Sequence, residues 1–262
     1  MPKKECPHCD GTGWRPVKIG SVRRVTRCDC EIEDRSGQLI LLARIPRRYE
    51  HCAFENFDVR KDRLSGQANR YLELAKLYAH RFVEEYPNDF GLLFIGPTGA
   101  GKTHLAVAVL RELILRKGVP CLFYDFRDLL KTIQDSWNTV SQTSESQVLQ
   151  RVLTTEVLLL DELAALNPSD WVKETLAHIV NTRYNQKLVT LITTTLPFAE
   201  ASEDSDVRTP AGEAVPEVER TLNQYGVTLR SRLYEMCKVI EIQSDDYRKA
   251  IKQASWRFHN DM

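Results

Sequence analysis

No run of apolar residues in this 262-residue sequence approaches the ~18 that a membrane-spanning helix needs. Behind the opening Met1-Pro2-Lys3-Lys4-Glu5-Cys6 there is no hydrophobic stretch to act as a secretory signal, so the chain is expected to stay in the cytoplasm, with no membrane partner. Net charge is missing too, because 36 basic and 36 acidic residues cancel. That excludes bulk attraction to a polyanion and leaves any nucleic-acid binding to a local patch. No internal repeat is evident. An even complement of cysteines, as a disulfide framework would need, is also absent: the chain has seven, and four of them crowd into the first thirty residues. In a reducing compartment such crowding points to a metal. The rest is ordinary for a globular protein, with 42% hydrophobic and 27% charged residues. At ~150 residues per domain, the length allows one large domain and a small appendage.

The densest chemical signal is Gly96-Pro97-Thr98-Gly99-Ala100-Gly101-Lys102-Thr103. An apolar run, Leu92 to Ile95, leads into it as a buried strand, and Leu105, Ala106, Val109, Leu110 and Leu113 follow at helical spacing. Strand, glycine-rich turn and helix together make a phosphate-binding loop, in which backbone amides wrap a phosphate of ATP. Lys102 is placed for the β and γ phosphates, and the Thr103 hydroxyl for Mg2+. A second signal is Glu156-Val157-Leu158-Leu159-Leu160-Asp161-Glu162, an apolar strand ending in two acids. In that position Asp161 can hold the magnesium water shell while Glu162 orients and deprotonates the attacking water. Val189 to Thr195 reads as another buried strand. A hydroxyl at its end, Thr195, either hydrogen-bonds the water or the γ phosphate, or is satisfied by backbone.

Upstream, Cys6-Pro7-His8-Cys9 and Cys28-Asp29-Cys30 bracket a segment in which Arg15, Lys18, Arg23, Arg24 and Arg27 alternate with valines and isoleucine as in a small hairpin. Cys6, Cys9, Cys28 and Cys30 can close a tetrahedral thiolate site for Zn2+, which leaves His8 a bystander; reduced cysteines in a flexible tail are the other reading. Helices are expected over 31–42, 66–85, 125–137 and 171–185, with a polar loop at 139–146, an exposed acidic insertion at 201–219, order resuming over 222–236 and a terminal helix over 245–260. The expected division is a cysteine module and linker over residues 1–60, which binds a partner, and a nucleotide domain over 61–262.

Taken with Ile45-Pro46-Arg47-Arg48-Tyr49, Phe54-Glu55-Asn56-Phe57, Ser231-Arg232-Leu233 and Tyr247-Arg248, the two nucleotide motifs make the chain resemble AAA+ ATPases of the DnaC/DnaI helicase-loader and IstB group over residues 45–262. The resemblance implies an α/β fold, a five-stranded parallel sheet between helices. It also implies that Arg232 matches a finger reaching a neighbouring subunit's ATP, in a homo-oligomer formed when ATP is bound. Arg248 matches a sensor of the γ phosphate in its own subunit. It places single-stranded DNA binding on the helix with Phe126, Arg127, Lys131 and Trp137, whose apolar members serve equally as core. Two departures stand out: Thr195 replaces the asparagine frequent in the family, and the sequence ends about one helix after its last strand. The implied activity is ATP hydrolysis coupled to loading a replicative DNA helicase onto single-stranded DNA. The alternatives are an IstB-like helper that assembles on duplex DNA for a transposase, and a P-loop kinase of small molecules.

Overall fold

In a computed structural model the protein is described over residues 6–19, 22–60, 68–87, 89–136, 145–163, 168–195 and 226–249. Continuous apolar runs become strands buried on both faces: β3 (Gly91–Gly96), β4 (Cys121–Asp125), β5 (Val157–Asp161) and β6 (Val189–Thr195), completed by β7 (Cys237–Glu241). They form one parallel sheet in the order β4-β5-β6-β3-β7. β3 lies between the two last strands of the chain, and its own continuation crosses over to β4 at the far side. That reversal of strand order opens a crevice at the carboxyl ends of the strands, above β3, where open α/β sheets bind ligands.

Helices cover both faces. On one, α2 (Arg70–Glu85) and α3 (Lys102–Lys117) share a core with Phe94, Leu159 and Leu191 of the sheet. On the other lie α4 (Phe126–Asp135), α5 (Glu145–Thr154), α6 (Asp170–Asn185) and α7 (Val227–Met236), packed on Leu93, Leu158 and Ile192. The starts of α2, α4 and α6 are fixed by side chains of Asn69, Asp125 and Ser169, each accepting from backbone amides of the first turn. The expected loop through Ser146 is corrected: α5 already begins at Glu145, and Val148, Leu149, Val152 and Leu153 give it an apolar face. The insertion at 201–219, residues 222–225 and the terminal helix beyond Lys249 lie outside the described residues. No described helix is long and apolar enough to cross a membrane.

The amino-terminal part is a hairpin, β1 (Trp14–Ile19) against β2 (Val22–Arg27), leading into α1 (Asp29–Leu42). Its four cysteines form a buried cluster of their own. Leu39, Ala43, Cys52, Phe54 and Phe57 belong to the core under the sheet, and the amide of Phe123 in β4 donates to the Ala43 carbonyl at 2.8 Å.

Arg183 on α6 is fully buried, with Nε donating to Thr190 Oγ1 at 2.9 Å, Nη1 to the carbonyls of Val152 and Thr155, and Nη2 to that of Val189. Val152 lies in the last turn of α5, where carbonyls have no partner within the helix, so Arg183 ends that helix from across the interface. Burial draws its guanidinium down to about 9, still charged at neutral pH. Arg183→Met is expected to remove the donor to the carbonyls of Val152, Thr155 and Val189 and to lower unfolding free energy by about 3–5 kcal/mol, read as a shift in urea midpoint.

Candidate nucleotide site

Gly99 and Gly101 set the loop that follows β3. Both have positive φ, +77° and +100°, and both are crowded: a Cβ on Gly99 would fall 2.0 Å from Asp246 Oδ1, and one on Gly101 2.7 Å from the Phe57 ring. The loop is therefore clamped between the segment after β7 and the segment before α2. Tyr247 tightens the first contact, its amide donating to the Gly99 carbonyl at 3.1 Å. Gly101 ends the loop as the N-cap of α3, so Gly96, Pro97, Thr98, Gly99 and Ala100 lead to the positive end of that helix, which favours an anion.

Lys102 Nζ donates to the carbonyls of Gly96 at 2.9 Å and Pro97 at 2.8 Å, holding the ammonium inside the loop. Burial lowers its pKa; the nearby carboxylates of Glu162 and Asp161 oppose that shift. Thr103 Oγ1 donates to Asp161 Oδ1 at 2.8 Å, and Thr193 Oγ1 donates to the same oxygen at 2.6 Å. Burial raises the Asp161 pKa, and the two hydroxyls favour its charged form. The 2.8 Å separation of the Thr103 and Asp161 oxygens fits a pair of neighbouring ligands on a small octahedral cation, whose oxygens at about 2.1 Å from the ion lie about 3.0 Å apart. A hard, oxygen-only donor pair of this kind suits Mg2+.

Glu162, just past β5, adopts left-handed backbone with φ 55°. Two threonines of β6 hold it there. Its amide donates to Thr193 Oγ1 at 2.9 Å, and its Oε1 accepts from Thr195 Oγ1 at 2.8 Å. The Thr195 hydroxyl is bonded to the Glu162 carboxylate rather than to backbone. Thr193 is the residue that motif reading left without a role, and its signal was its place two residues before Thr195 on a strand beside β5.

The cleft over these groups is about 900 Å3 and is also lined by Arg48, His51, Asn56 and Arg60 from the linker and by Tyr247 and Arg248. Arg60 ties the two linings together, with Nη2 donating to Ser244 Oγ at 2.7 Å and its guanidinium 5.1 Å above the Tyr247 ring. Lys102, Thr103, Asp161, Glu162, Thr195 and Arg248 thus share one cleft, whereas Arg232 stands away from it. On α7, Arg232 donates to Asn181 Oδ1 and lies 5.5 Å from the Tyr184 ring centre. Phe126 is buried in the core of its face, which removes it as a base-stacking residue; Arg127 and Lys131 are exposed on α4, and Trp137 lies outside the described residues.

A second candidate site is the cysteine cluster. Cys6 and Cys28 Sγ are 3.6 Å apart, Cys9 and Cys30 Sγ 3.5 Å, and all four sulfurs lie within 4.8 Å of one another. A tetrahedral zinc with Zn–S bonds of about 2.3 Å sets its sulfurs about 3.8 Å apart, so the cluster fits that ion, and the spacing is too long for disulfides. A backbone amide at His8 draws the Cys6 thiol down to about 7, while burial pushes Cys30 up to about 12. His8 itself is exposed. Thr12 Oγ1 donates to the Cys9 carbonyl at 2.6 Å, and the Cys28 amide to the Gly13 carbonyl at 2.8 Å, fixing both halves of the cluster from outside.

A profile of the IstB-like ATP binding protein family matches residues 32–207. Among curated proteins, the replicative helicase loader DnaC of Escherichia coli is 33% identical over 140 residues, 53% of this chain and 53% of that protein. The chain thus spans about half the length of the curated relatives it matches. Among solved structures, that of the DnaC helicase loader aligns with a TM-score of 0.60 at 27% identity, covering 75% of this chain and 99% of that one. A structure of DnaI aligns with a TM-score of 0.54 at 21% identity over 78% of this chain and 95% of that one, a likeness of fold.

Proposed function

The chain belongs to the family of IstB-like ATP binding proteins, and from that premise we propose that it is an ATPase that loads a replicative DNA helicase onto single-stranded DNA. The observation that carries the loader reading is its likeness to DnaC in sequence and in structure together. In this reading residues 96–103 bind the phosphates of ATP, with Lys102 Nζ turning from the loop carbonyls to the β and γ phosphates. Thr103 and Asp161 would hold Mg2+, which supplies charge neutralisation on the phosphates. Glu162 takes a proton from water as its oxygen attacks the γ phosphorus; the bond to the bridging oxygen breaks, and ADP and phosphate leave. Thr195 keeps the Glu162 carboxylate aimed, and Arg248 reaches the γ phosphate from its own cleft.

In this reading Arg232, on α7 outside that cleft, reaches a neighbouring protomer's ATP, and full activity belongs to an ATP-bound homo-oligomer; its position away from its own cleft supports the role in trans. The cysteine cluster would hold Zn2+ and stiffen an amino-terminal element that grips the helicase. Lys131 on α4 contributes to single-strand binding. The reading is tested by native mass spectrometry of the protein with its cognate replicative helicase, with and without ATP. A stoichiometric complex is expected. No complex under either condition overturns it, and assembly on duplex DNA without helicase moves the assignment to a transposition helper.

A further inference from the structure

Arg248 follows a stretch of chain that is not packed into the core. β7 finishes at Glu241, and the next residue, Ile242, is still buried, with its amide donating to the Ile95 carbonyl at 2.7 Å. From Gln243 to Arg248 the side chains are half-buried or exposed. A long cationic side chain on such a stretch serves a phosphate only if the backbone beneath it is held. Burial lowers the Lys102 pKa, Glu162 and Asp161 oppose the shift, and the Arg248 guanidinium adds to the lowering. The two cations are therefore close enough to repel, and Arg248 has to be held against that repulsion. The restraint comes from the linker. Arg60 Nη2 donates to Ser244 Oγ at 2.7 Å and to the Asp245 carbonyl at 2.8 Å, and its guanidinium lies 5.1 Å from the centre of the Tyr247 ring. Asn69, the cap of α2, adds a bond from Nδ2 to the Gln243 carbonyl at 2.9 Å. Tyr247 passes the restraint to the phosphate loop through its amide on the Gly99 carbonyl, and Arg248 comes next, its own amide donating to Asp246 Oδ1 at 2.8 Å.

The geometry points to Arg60 as a positioning residue: it holds Ser244 to Tyr247 against the phosphate loop, so that Arg248 is presented to the γ phosphate and the protein distinguishes ATP from ADP. This rests on the reading of Arg248 as a γ-phosphate contact and adds the residue on which that contact depends. An arginine that binds phosphate directs its fork at the anion. Arg60 instead directs Nη2 at a hydroxyl and a carbonyl of the protein and sets its face over a ring, all within the four residues that precede Arg248. Its part is to fix geometry, and it acts on nucleotide through Arg248.

The test is equilibrium binding, by calorimetry on the full-length protein, of ADP and of the β,γ-methylene analogue of ATP, each with Mg2+. Arg248→Ala is expected to lower the preference for the triphosphate about tenfold, the loss of one hydrogen bond to a charged group. Arg60→Met is expected to lower it by a similar factor while ADP affinity stays within about twofold, and to add less than about twofold in the double variant, because both act through one contact. Arg60→Lys is expected to recover most of the preference, since both hydrogen bonds leave from a single nitrogen. An equal loss of affinity for both nucleotides, or losses that multiply in the double variant, would make Arg60 part of the scaffold and overturn the proposal. If the urea transition shows that Arg60→Met does not fold, Ser244→Ala carries the test: a loss of triphosphate preference of about threefold is expected, and an unchanged preference overturns the proposal. No effect of Arg248→Ala itself would overturn the sensor reading and this proposal with it, whereas an effect confined to Arg248→Ala overturns the role of Arg60 alone.

Discussion

Glu162→Gln is expected to leave ATP bound and to slow its hydrolysis by about 10²–10⁴-fold, the contribution of a positioned general base. Single-turnover hydrolysis beside equilibrium nucleotide binding makes the measurement. Hydrolysis within a factor of about two of the parent would remove Glu162 from the reaction. The prediction is large because the position is held at a cost. A non-glycine residue with left-handed backbone carries about 1–3 kcal/mol of strain. Here two hydroxyls of β6 hold it, one on the amide and one on the carboxylate. Glutamine keeps the side-chain oxygen that accepts from Thr195 and loses only the basic oxygen, so geometry and charge are separated. Nucleotide affinity is expected to stay near that of the parent, since Lys102, Thr103 and Asp161 are bonded independently of the Glu162 side chain.

The parts of this site that were legible in the sequence are those in which a few adjacent residues contain the whole arrangement. The phosphate loop is such a case, because glycine placement, lysine and threonine all follow one strand within eight residues. The acid pair at the end of β5 is another, since a buried strand must surface at the ligand edge of a parallel sheet. The four cysteines read correctly as one cluster because a tetrahedral site needs only two short chelating turns brought together by a hairpin. What stayed illegible was assembled from distant segments. Arg60 meets Ser244 and Tyr247 across about 185 positions, and no local pattern marks it as part of the cleft. Arg183 looks like one more cation on a helix, and only the end of α5 and the start of β6 reveal that it is buried to satisfy carbonyls. The linker from Ile45 to Phe57 was identified by resemblance, but its placement in the core under the sheet came from the packing of Cys52, Phe54 and Phe57. Thr195 shows the limit from the other side: a hydroxyl can serve any acceptor within reach, so its bond to the Glu162 carboxylate came from the structure alone.

Removing the zinc proposed for the cysteine cluster is expected to unfold residues from Cys6 to about the first turn of α1 and nothing beyond. Strong chelation at neutral pH, or Cys28→Ser, would abolish stoichiometric zinc in elemental analysis and expose the amides of β1 and β2 to hydrogen exchange. The physical reason is the small core: among the described residues, the buried apolar cluster of this segment consists of the four cysteines themselves, and Trp14 and Val25 are largely exposed. A unit of this size has too little surface to bury, and zinc binding to such peptides is worth about 10–16 kcal/mol, so with the proposed zinc bound its order is expected to depend on the metal. Cys28 is the sharpest probe, since it is fully buried and its amide also closes the hairpin against the Gly13 carbonyl. The unfolding should stop within α1 because its far end is held elsewhere: Leu39 and Ala43 lie in the core under the sheet, and Ala43 accepts a hydrogen bond from β4. Among the described residues the nucleotide cleft draws no side chain from residues 6–30, so the proposed ATP hydrolysis is expected to continue as before. Retained protection of β1 and β2 in metal-free protein would mean that the thiols pack as an ordinary small core. Loss of protection in β3 or α3 would mean that the module and the nucleotide domain fold as one unit.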